Sequence, residues 1–529
     1  MQKKKVIDVM DTSFRDGFQS VFGGRVLMND FLPALKKGVE IGIRHFEFGG
    51  GARFQANVFY LNEDPFEMMD KFRAAIGPDI STQTLSRGIN TVALDSSPRD
   101  VIELHAKMFK KHGTTVIRNF DALNDVNNLI YSGQMIHKHG LKHEVVVTMM
   151  ELPPGCTGAH DVPFYEKTLR AILDADIPYS SVCFKDASGT SSPQKVYDTI
   201  KMARKLLPDG THIRLHTHET AGVSVACYLA ALEAGADGID LACSPISGGT
   251  SQPDMIVMLH ALKGKPFDLG LDIEKVLEYE DVIKECLKDY FIPPEATQVS
   301  PEIPFSPMPG GALTANTQMM RDFKVLDKFP EVIRQMREVV ERGGFATSVT
   351  PVSQFYFQQA YNNVMAGKWE NIADGYGKMV LGYFGKTPVP PDPALVELIS
   401  KKMNLPVTTE NPVDIAEKDP KKGLPYWKKQ LEDNKLDTSE ENLFIAVSCQ
   451  EKGIAFLQGK AKVMVRKLTD EKPAPSPSPA PKPAAPASAT APGTPTSLAN
   501  MGTCGLAKPA TYKLKIDNQS YFVEVEQLG

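Results

Sequence analysis

His216 and His218 stand two residues apart where the apolar run Thr211 to Leu215 ends. In a strand, residues i and i+2 face the same way, so these two imidazoles lie side by side. Two neutral imidazoles supply half of a divalent metal site, although a pair of packed or hydrogen-bonded histidines has the same spacing. Other ionisable groups recur wherever an apolar run stops: Arg15-Asp16-Gly17-Phe18-Gln19-Ser20, Glu47 before Gly49-Gly50-Gly51, Ser86-Arg87-Gly88, Asp121-Ala122-Leu123-Asn124-Asp125, Lys185-Asp186 and Ser247-Gly248-Gly249-Thr250. An acid, two histidines and several guanidiniums gathered at one rim describe a metal-assisted site for an anionic substrate. Each residue also has a plainer reading, since a solvated loop is polar too and Lys185 could pair with Asp186.

The elements that must position these groups follow a regular rhythm. Apolar runs of strand length occur at Lys5 to Met10, Arg44 to Phe48, Ile80 to Leu85, Thr114 to Phe120, Glu144 to Met150, Ser181 to Phe184, His212 to His216 and Gly238 to Ala242. Between them lie stretches of helical periodicity, among them Asn29 to Ile41, Pro98 to Lys111, Val162 to Ala175 and Pro193 to Leu207. This alternation predicts an α/β fold, a (β/α)8 TIM barrel, whose chemistry sits where strands end. An open doubly wound sheet is the alternative, but no Gly-rich dinucleotide fingerprint follows the first strand.

Composition bounds the function. At 529 residues the chain exceeds one compact domain, and a net charge of -5 argues against nucleic acid or an anionic membrane as partner. No apolar run reaches the roughly 20 residues of a membrane span, and Met1-Gln2-Lys3-Lys4-Lys5 leads into Val6-Ile7-Asp8 without a signal-peptide core, which points to the cytoplasm. Seven scattered cysteines without a C-x-x-C pair suggest neither a disulfide framework nor a zinc knuckle.

The motif series Arg15-Asp16-x-x-Gln19-Ser20, Ser86-Arg87-Gly88, Asp121 to Asp125, Lys185-Asp186, His216-x-His218, Ser247 to Ser251 and Pro309-Gly310-Gly311, in that order, resembles the biotin-dependent carboxyltransferases acting on pyruvate or oxaloacetate. That family holds pyruvate carboxylase, including its separate second subunit, the oxaloacetate decarboxylase alpha chain and the transcarboxylase keto-acid subunit. The resemblance covers about Val6 to Leu468. It implies that Asp16, His216 and His218 bind a divalent metal (Zn, Mn or Co), with Lys185 as a fourth ligand through a carbamylated side chain. It further implies that Arg15 and Gln19 hold the keto oxygen, that Arg87 pairs with the substrate carboxylate, and that Thr350 shuttles a proton between biotin and the substrate methyl. Without the resemblance Thr350 reads as a helix N-cap before Pro351. The chain departs from the family pattern at Ala187-Ser188, where Met-Ala is usual. The first motif also resembles metal-dependent lyases and synthases of the isopropylmalate synthase and hydroxymethylglutaryl-CoA lyase type, the runner-up. A non-catalytic organising subunit is a second alternative.

The domain division expected is a barrel over residues 1–265, a helical domain over 266–471 that closes the site, a Pro/Ala-rich linker over 472–510 and a β-hairpin docking segment over 511–529. The linker composition behaves as an extended tether, and a lone hairpin is marginal in water without a surface to dock on. Because the family's Ala-Met-Lys-Met biotinylation motif does not occur, biotin is expected on a separate carrier protein or subunit. A homo-oligomer is the prior for barrel enzymes.

Overall fold

A computed structural model describes residues 4–470 and the two strands Ala510–Ile516 and Gln519–Val525. These residues fall into two compact units divided after Lys472. The second holds the two strands, which pair antiparallel with Ala510 opposite Val525 and Ile516 opposite Gln519. The sequence-expected linker, up to residue 509, lies outside the described residues, as do 517–518 and 526–529 of the hairpin.

The first unit is built on a closed barrel of eight parallel strands: β1 (Asp8–Asp11), β2 (His45–Glu47), β3 (Ser81–Ser86), β4 (Val116–Asn119), β5 (Lys142–Thr148), β6 (Ser181–Asp186), β7 (His212–Thr217) and β8 (Gly238–Leu241). All eight expected runs are strands, within a few residues at each end. The largest difference is at the start, where Lys5–Val6 leaves the barrel and pairs instead with Phe267–Asp268. Helices cover the outside, and several begin with a cap and a proline close behind it. Asp64 accepts the backbone N–H of Phe66 before Pro65–Ile76, Asp161 that of Phe164 before Val162–Asp174, and Ser192 that of Lys195 before Pro193–Leu206. Such residues satisfy N–H groups that have no partner inside the helix, and proline fits the first turn because its missing N–H is not needed there.

Helices α1 (Gly310–Asp322), α2 (Phe329–Arg342) and α3 (Val352–Ala366) follow the barrel. Their core is not separate from it: Met308, Leu313, Val349 and Phe355 share one apolar cluster with Leu85, Phe120, Val146 and Cys183 of the strands and strand ends. The barrel mouth is therefore roofed by the loop that opens α1. Glycine is required in that loop, because a Cβ on Gly310 would lie 1.6 Å from the Thr250 carbonyl oxygen. A later helix, Glu440–Leu457, returns to the barrel wall and sets Phe444 against Phe54 with ring centroids 5.3 Å apart. Among the described residues no helix is long and apolar enough to cross a membrane.

The barrel interior is charged. Arg118 of β4 meets Glu144 of β5 at 2.5 Å and Asp240 of β8 at 2.5 Å, while Arg214 of β7 reaches Asp240 at 3.0 Å and pairs with Asp8 at the start of β1. Gln83 of β3 donates to Glu144 at 2.9 Å. Each of these except Asp8 is buried, so the barrel is filled by a lattice of ion pairs, and this lattice stands directly beneath the mouth.

Candidate active site

Asp16 lies in the turn Ser13–Gly17 that follows β1, and the last residues of β6 and β7 bring Lys185 opposite His216. His218 is two residues further on and faces the same way. Asp16 Oδ2, His216 Nε2 and His218 Nε2 form a triangle with sides of 3.3, 3.4 and 3.2 Å. Donors held at about 2.0–2.1 Å around one tetrahedral ion stand roughly 3.3 Å apart. The tautomers agree with this geometry. His216 Nδ1 lies 2.8 Å from Asp240 Oδ2 and His218 Nδ1 lies 2.7 Å from the Thr250 carbonyl, so each Nδ1 carries the proton and each Nε2 a lone pair. Two lone pairs facing each other across 3.2 Å repel unless a cation lies between them. The donor set therefore fits a divalent metal.

The electrostatics favour the same forms. Burial alone would push the Asp16 carboxyl up, but the Arg15 guanidinium and the two imidazoles overcome that and hold it well below the usual carboxylate range. Burial, reinforced by the Lys185 charge, lowers His216 to about 4, which keeps it neutral and able to ligate. Burial also lowers Lys185, with Arg118 and Arg15 working in the same direction against Asp16. Lys185 is not paired with Asp186. Successive strand residues face opposite sides, and the Asp186 carboxylate is taken up by the backbone N–H groups of Ser188, Gly189, Thr190 and Ser191. Among the described residues no carboxylate lies within ion-pair distance of Lys185 Nζ.

Beside the triangle, Arg15 binds the Glu47 carboxylate, stands 3.3 Å from Asp16 Oδ2 and donates to Gln19 Oε1 at 3.3 Å. Gln19 Oε1 also accepts the Ala52 N–H at 3.1 Å, which leaves the amide NH2 of Gln19 as a donor. Arg87 donates to the carbonyls of Val92 and Ala93 at 2.6 and 3.0 Å, but among the described residues its buried Nε has no partner. Burial, with Arg15 adding to it, lowers Arg87 to about 9, and among the described residues no carboxylate lies within ion-pair distance of it. Thr350 is not a helix cap. Pro351 occupies the cap position of α3, which has no side-chain cap.

These groups meet in a small chamber of about 30 Å³ bordered by Arg15, Asp16, Gln19, Arg87, Lys185, His218 and Thr350. Ala187, at one departure from the family pattern, lines it too. His216 lies beneath, fully buried. Gln19, Arg87, Gly311, Ala312 and Thr350 also border an outer cleft of about 540 Å³, so the chamber opens outward past Thr350.

Two further residues of the site carry little mark in the sequence. Gln252 donates its amide to Asp16 Oδ2 at 3.2 Å and contacts His218 Nε2 at 3.0 Å; it directly follows the Ser247 to Ser251 motif, which was the available signal. Asp240, which fixes the His216 tautomer, sits in an apolar run with nothing local to mark it.

Two families of known proteins match the chain: the conserved carboxylase domain over residues 303–524 and the HMGL-like family over 156–283. The B-type subunit of pyruvate carboxylase from Methanocaldococcus jannaschii is 30% identical over 463 residues, covering 86% of this chain and 78% of that protein. The methylmalonyl-CoA carboxyltransferase 5S subunit of Propionibacterium freudenreichii subsp. shermanii is 29% identical over 81% of this chain and 82% of that one. In fold, the carboxyl transferase domain of Rhizobium etli pyruvate carboxylase with pyruvate and biocytin superposes with a TM-score of 0.77 at 24% identity, over 87% of this chain and 78% of that one. The chain belongs to the biotin-dependent carboxyltransferase family that includes the B-type subunit of pyruvate carboxylase and the methylmalonyl-CoA carboxyltransferase 5S subunit.

Proposed function

We propose that the chain is the carboxyltransferase subunit of a biotin-dependent enzyme and moves a carboxyl group between carboxybiotin and pyruvate or oxaloacetate in the chamber at the barrel mouth. The observation that carries this reading is the convergence, at one chamber, of a metal-ligand triangle with His216 at its floor, an arginine that has no carboxylate partner among the described residues, and a threonine that also borders the outer cleft. The substrate carboxylate pairs with Arg87, whose planar fork suits two carboxylate oxygens. Arg15 and the Gln19 amide hold the keto oxygen and stabilise the enolate that develops on it. Asp16, His216 and His218 would hold the metal, with Lys185 as fourth ligand once its amine, after losing its proton, has taken up CO2 as a carbamate; bound there, the ion would supply a Lewis acid and a template.

In the decarboxylation direction the C3–C4 bond of oxaloacetate breaks, its electron pair becomes the enolate, and CO2 passes to biotin. The biotin N1 proton moves to Thr350 Oγ1 as the Thr350 proton moves to the enolate carbon, giving pyruvate and carboxybiotin. The roof over the mouth keeps water from a carboxyl donor that would otherwise be lost to hydrolysis. Biotin would reach the chamber through the outer cleft on a partner protein. The four-part domain division, a homo-oligomer, a cytoplasmic location and a Zn, Mn or Co ion at the triangle complete the proposal.

The test is oxaloacetate decarboxylation with free biotin. Thr350→Ala should lower biotin-dependent pyruvate release by about 10²-fold, the usual scale for a proton-transfer group. Turnover unchanged in the variant, or acyl-CoA cleavage in place of keto-acid turnover, would overturn the reading. In the same assay Arg87→Lys should raise KM for oxaloacetate by roughly tenfold, as expected for the loss of a charge-assisted hydrogen bond, with a smaller change in kcat. An unaltered KM would remove Arg87 from substrate binding.

A further inference from the structure

The roof segment that carries Thr350 is fastened to the barrel by a directed chain of side-chain hydrogen bonds. Asn124 Nδ2 lies 3.4 Å from Thr347 Oγ1, Thr347 Oγ1 lies 2.8 Å from Thr148 Oγ1, and Thr148 Oγ1 donates to the Asp121 carbonyl at 3.2 Å. Taken in that direction, each threonine hydroxyl accepts one bond and donates the next, which uses its one proton. Asn124 is itself held at both ends of its amide: Nδ2 donates to the Thr148 carbonyl at 3.0 Å and Oδ1 accepts the Thr148 N–H at 3.0 Å. Its backbone φ of 55° is in the left-handed region, which asparagine tolerates better than most residues. The Thr347 N–H adds a bond to the Ala122 carbonyl at 2.8 Å.

The next residue is fixed as well. Ser348 Oγ donates to the Pro307 carbonyl at 2.6 Å in the roof loop, and its N–H meets Met150 Sδ at 3.3 Å. Beyond Thr350 the chain enters α3, and the Ser353 N–H bonds the Val349 carbonyl at 3.1 Å. Thr350 therefore hangs on a short span between two anchored points. Thr148 is the last residue of β5, while Asp121, Ala122 and Asn124 belong to the loop after β4. Thr347 and Thr148 are fully buried, so these bonds are shielded from water.

We infer that Asn124, Thr148 and Thr347 are positioning residues that set the Thr350 hydroxyl at the chamber. This inference rests on the catalytic role given to Thr350 above. Thr347→Val keeps the shape but breaks the chain, and Thr347→Ser restores the hydroxyl. With oxaloacetate and free biotin, Thr347→Val should lose about tenfold or more in kcat with KM changed less than about twofold, since small misplacements of a reacting group cost rate before they cost binding. Thr347→Ser should recover most of the loss. Amide hydrogen exchange over residues 344–353 should rise in the valine variant and return to the wild-type rate in the serine variant.

Should the valine variant fail to fold, Asn124→Asp replaces the two amide donors by a carboxylate oxygen, which cannot donate to Thr347 or to the Thr148 carbonyl, and should shift both readouts the same way. Wild-type kcat together with wild-type exchange in a folded variant overturns the inference, as does a loss that serine does not rescue. A wild-type chain without biotin-dependent turnover counts against the catalytic reading instead, and the exchange measurement then decides the clamp by itself.

Discussion

Replacing His216 with alanine should yield a folded chain that purifies with less than a tenth of the wild-type divalent metal, and biotin-dependent oxaloacetate turnover should fall by about 10³-fold or more, equivalent to roughly 4 kcal/mol of transition-state stabilisation. Geometry sets this expectation. His216 Nε2 is within 3.3 Å of both other ligand atoms, and its ring is oriented from behind by Asp240 at 2.8 Å. Among the described residues, the His, Cys, Asp or Glu donors grouped at that site are Asp16, His216 and His218 alone, and the group next to the His216 ring, Arg118, whose Nη1 stands 3.2 Å from the other ring nitrogen, is a cation. Metal analysis of the purified protein beside its circular dichroism checks this. Wild-type metal content in a folded His216→Ala chain would mean that the triangle is a packed histidine pair and not a metal site.

The parts of the site legible in the sequence are those with a local signature. His216-x-His218 is read from the period of a strand, and Arg15, Asp16, Arg87 and Lys185 from their place where apolar runs stop. The barrel itself was readable because each strand is a short apolar run between amphipathic stretches. What was not legible depends on pairing across the closed sheet. Arg118 and Asp240 are 122 residues apart, and each interrupts an apolar run in a way that hydrophobic periodicity treats as noise. A strand buried on both faces does not show which face meets the barrel axis, so the ion-pair lattice appears only when the register is known. The Thr350 loop is similar. Thr347 reads as an ordinary loop residue until β5 and the Asp121 to Asp125 loop are placed against it. Lys185-Asp186 shows the opposite limit, since adjacency suggested an ion pair that strand alternation forbids.

Asp240→Asn should be the most damaging isosteric change in the barrel, lowering stability by about 3–5 kcal/mol and weakening metal binding by roughly 10- to 100-fold. Asp240 accepts from Arg118 at 2.5 Å, Arg214 at 3.0 Å and His216 Nδ1 at 2.8 Å, all fully buried. An amide in its place leaves two buried guanidiniums short of an anion. Its NH2 end can also face His216 Nδ1, which favours the tautomer with the proton on Nε2, where a ligand needs a lone pair. The pH dependence has a definite sign. Burial alone would raise the Asp240 carboxyl, but Arg118 and Arg214 overcome that and depress it far below the carboxylate range. A carboxyl depressed in the folded state contributes stability that is complete above the unfolded value, near 3.9, and is lost progressively as pH falls below it. The gap between wild type and Asp240→Asn in the urea midpoint should therefore be full at pH 7 and narrow below about pH 4. Coincident midpoints at pH 7 with equal metal retention would show that His216 and the two arginines are held by the remaining lattice, with Glu144, within 2.5 Å of Arg118, taking over as their anchor.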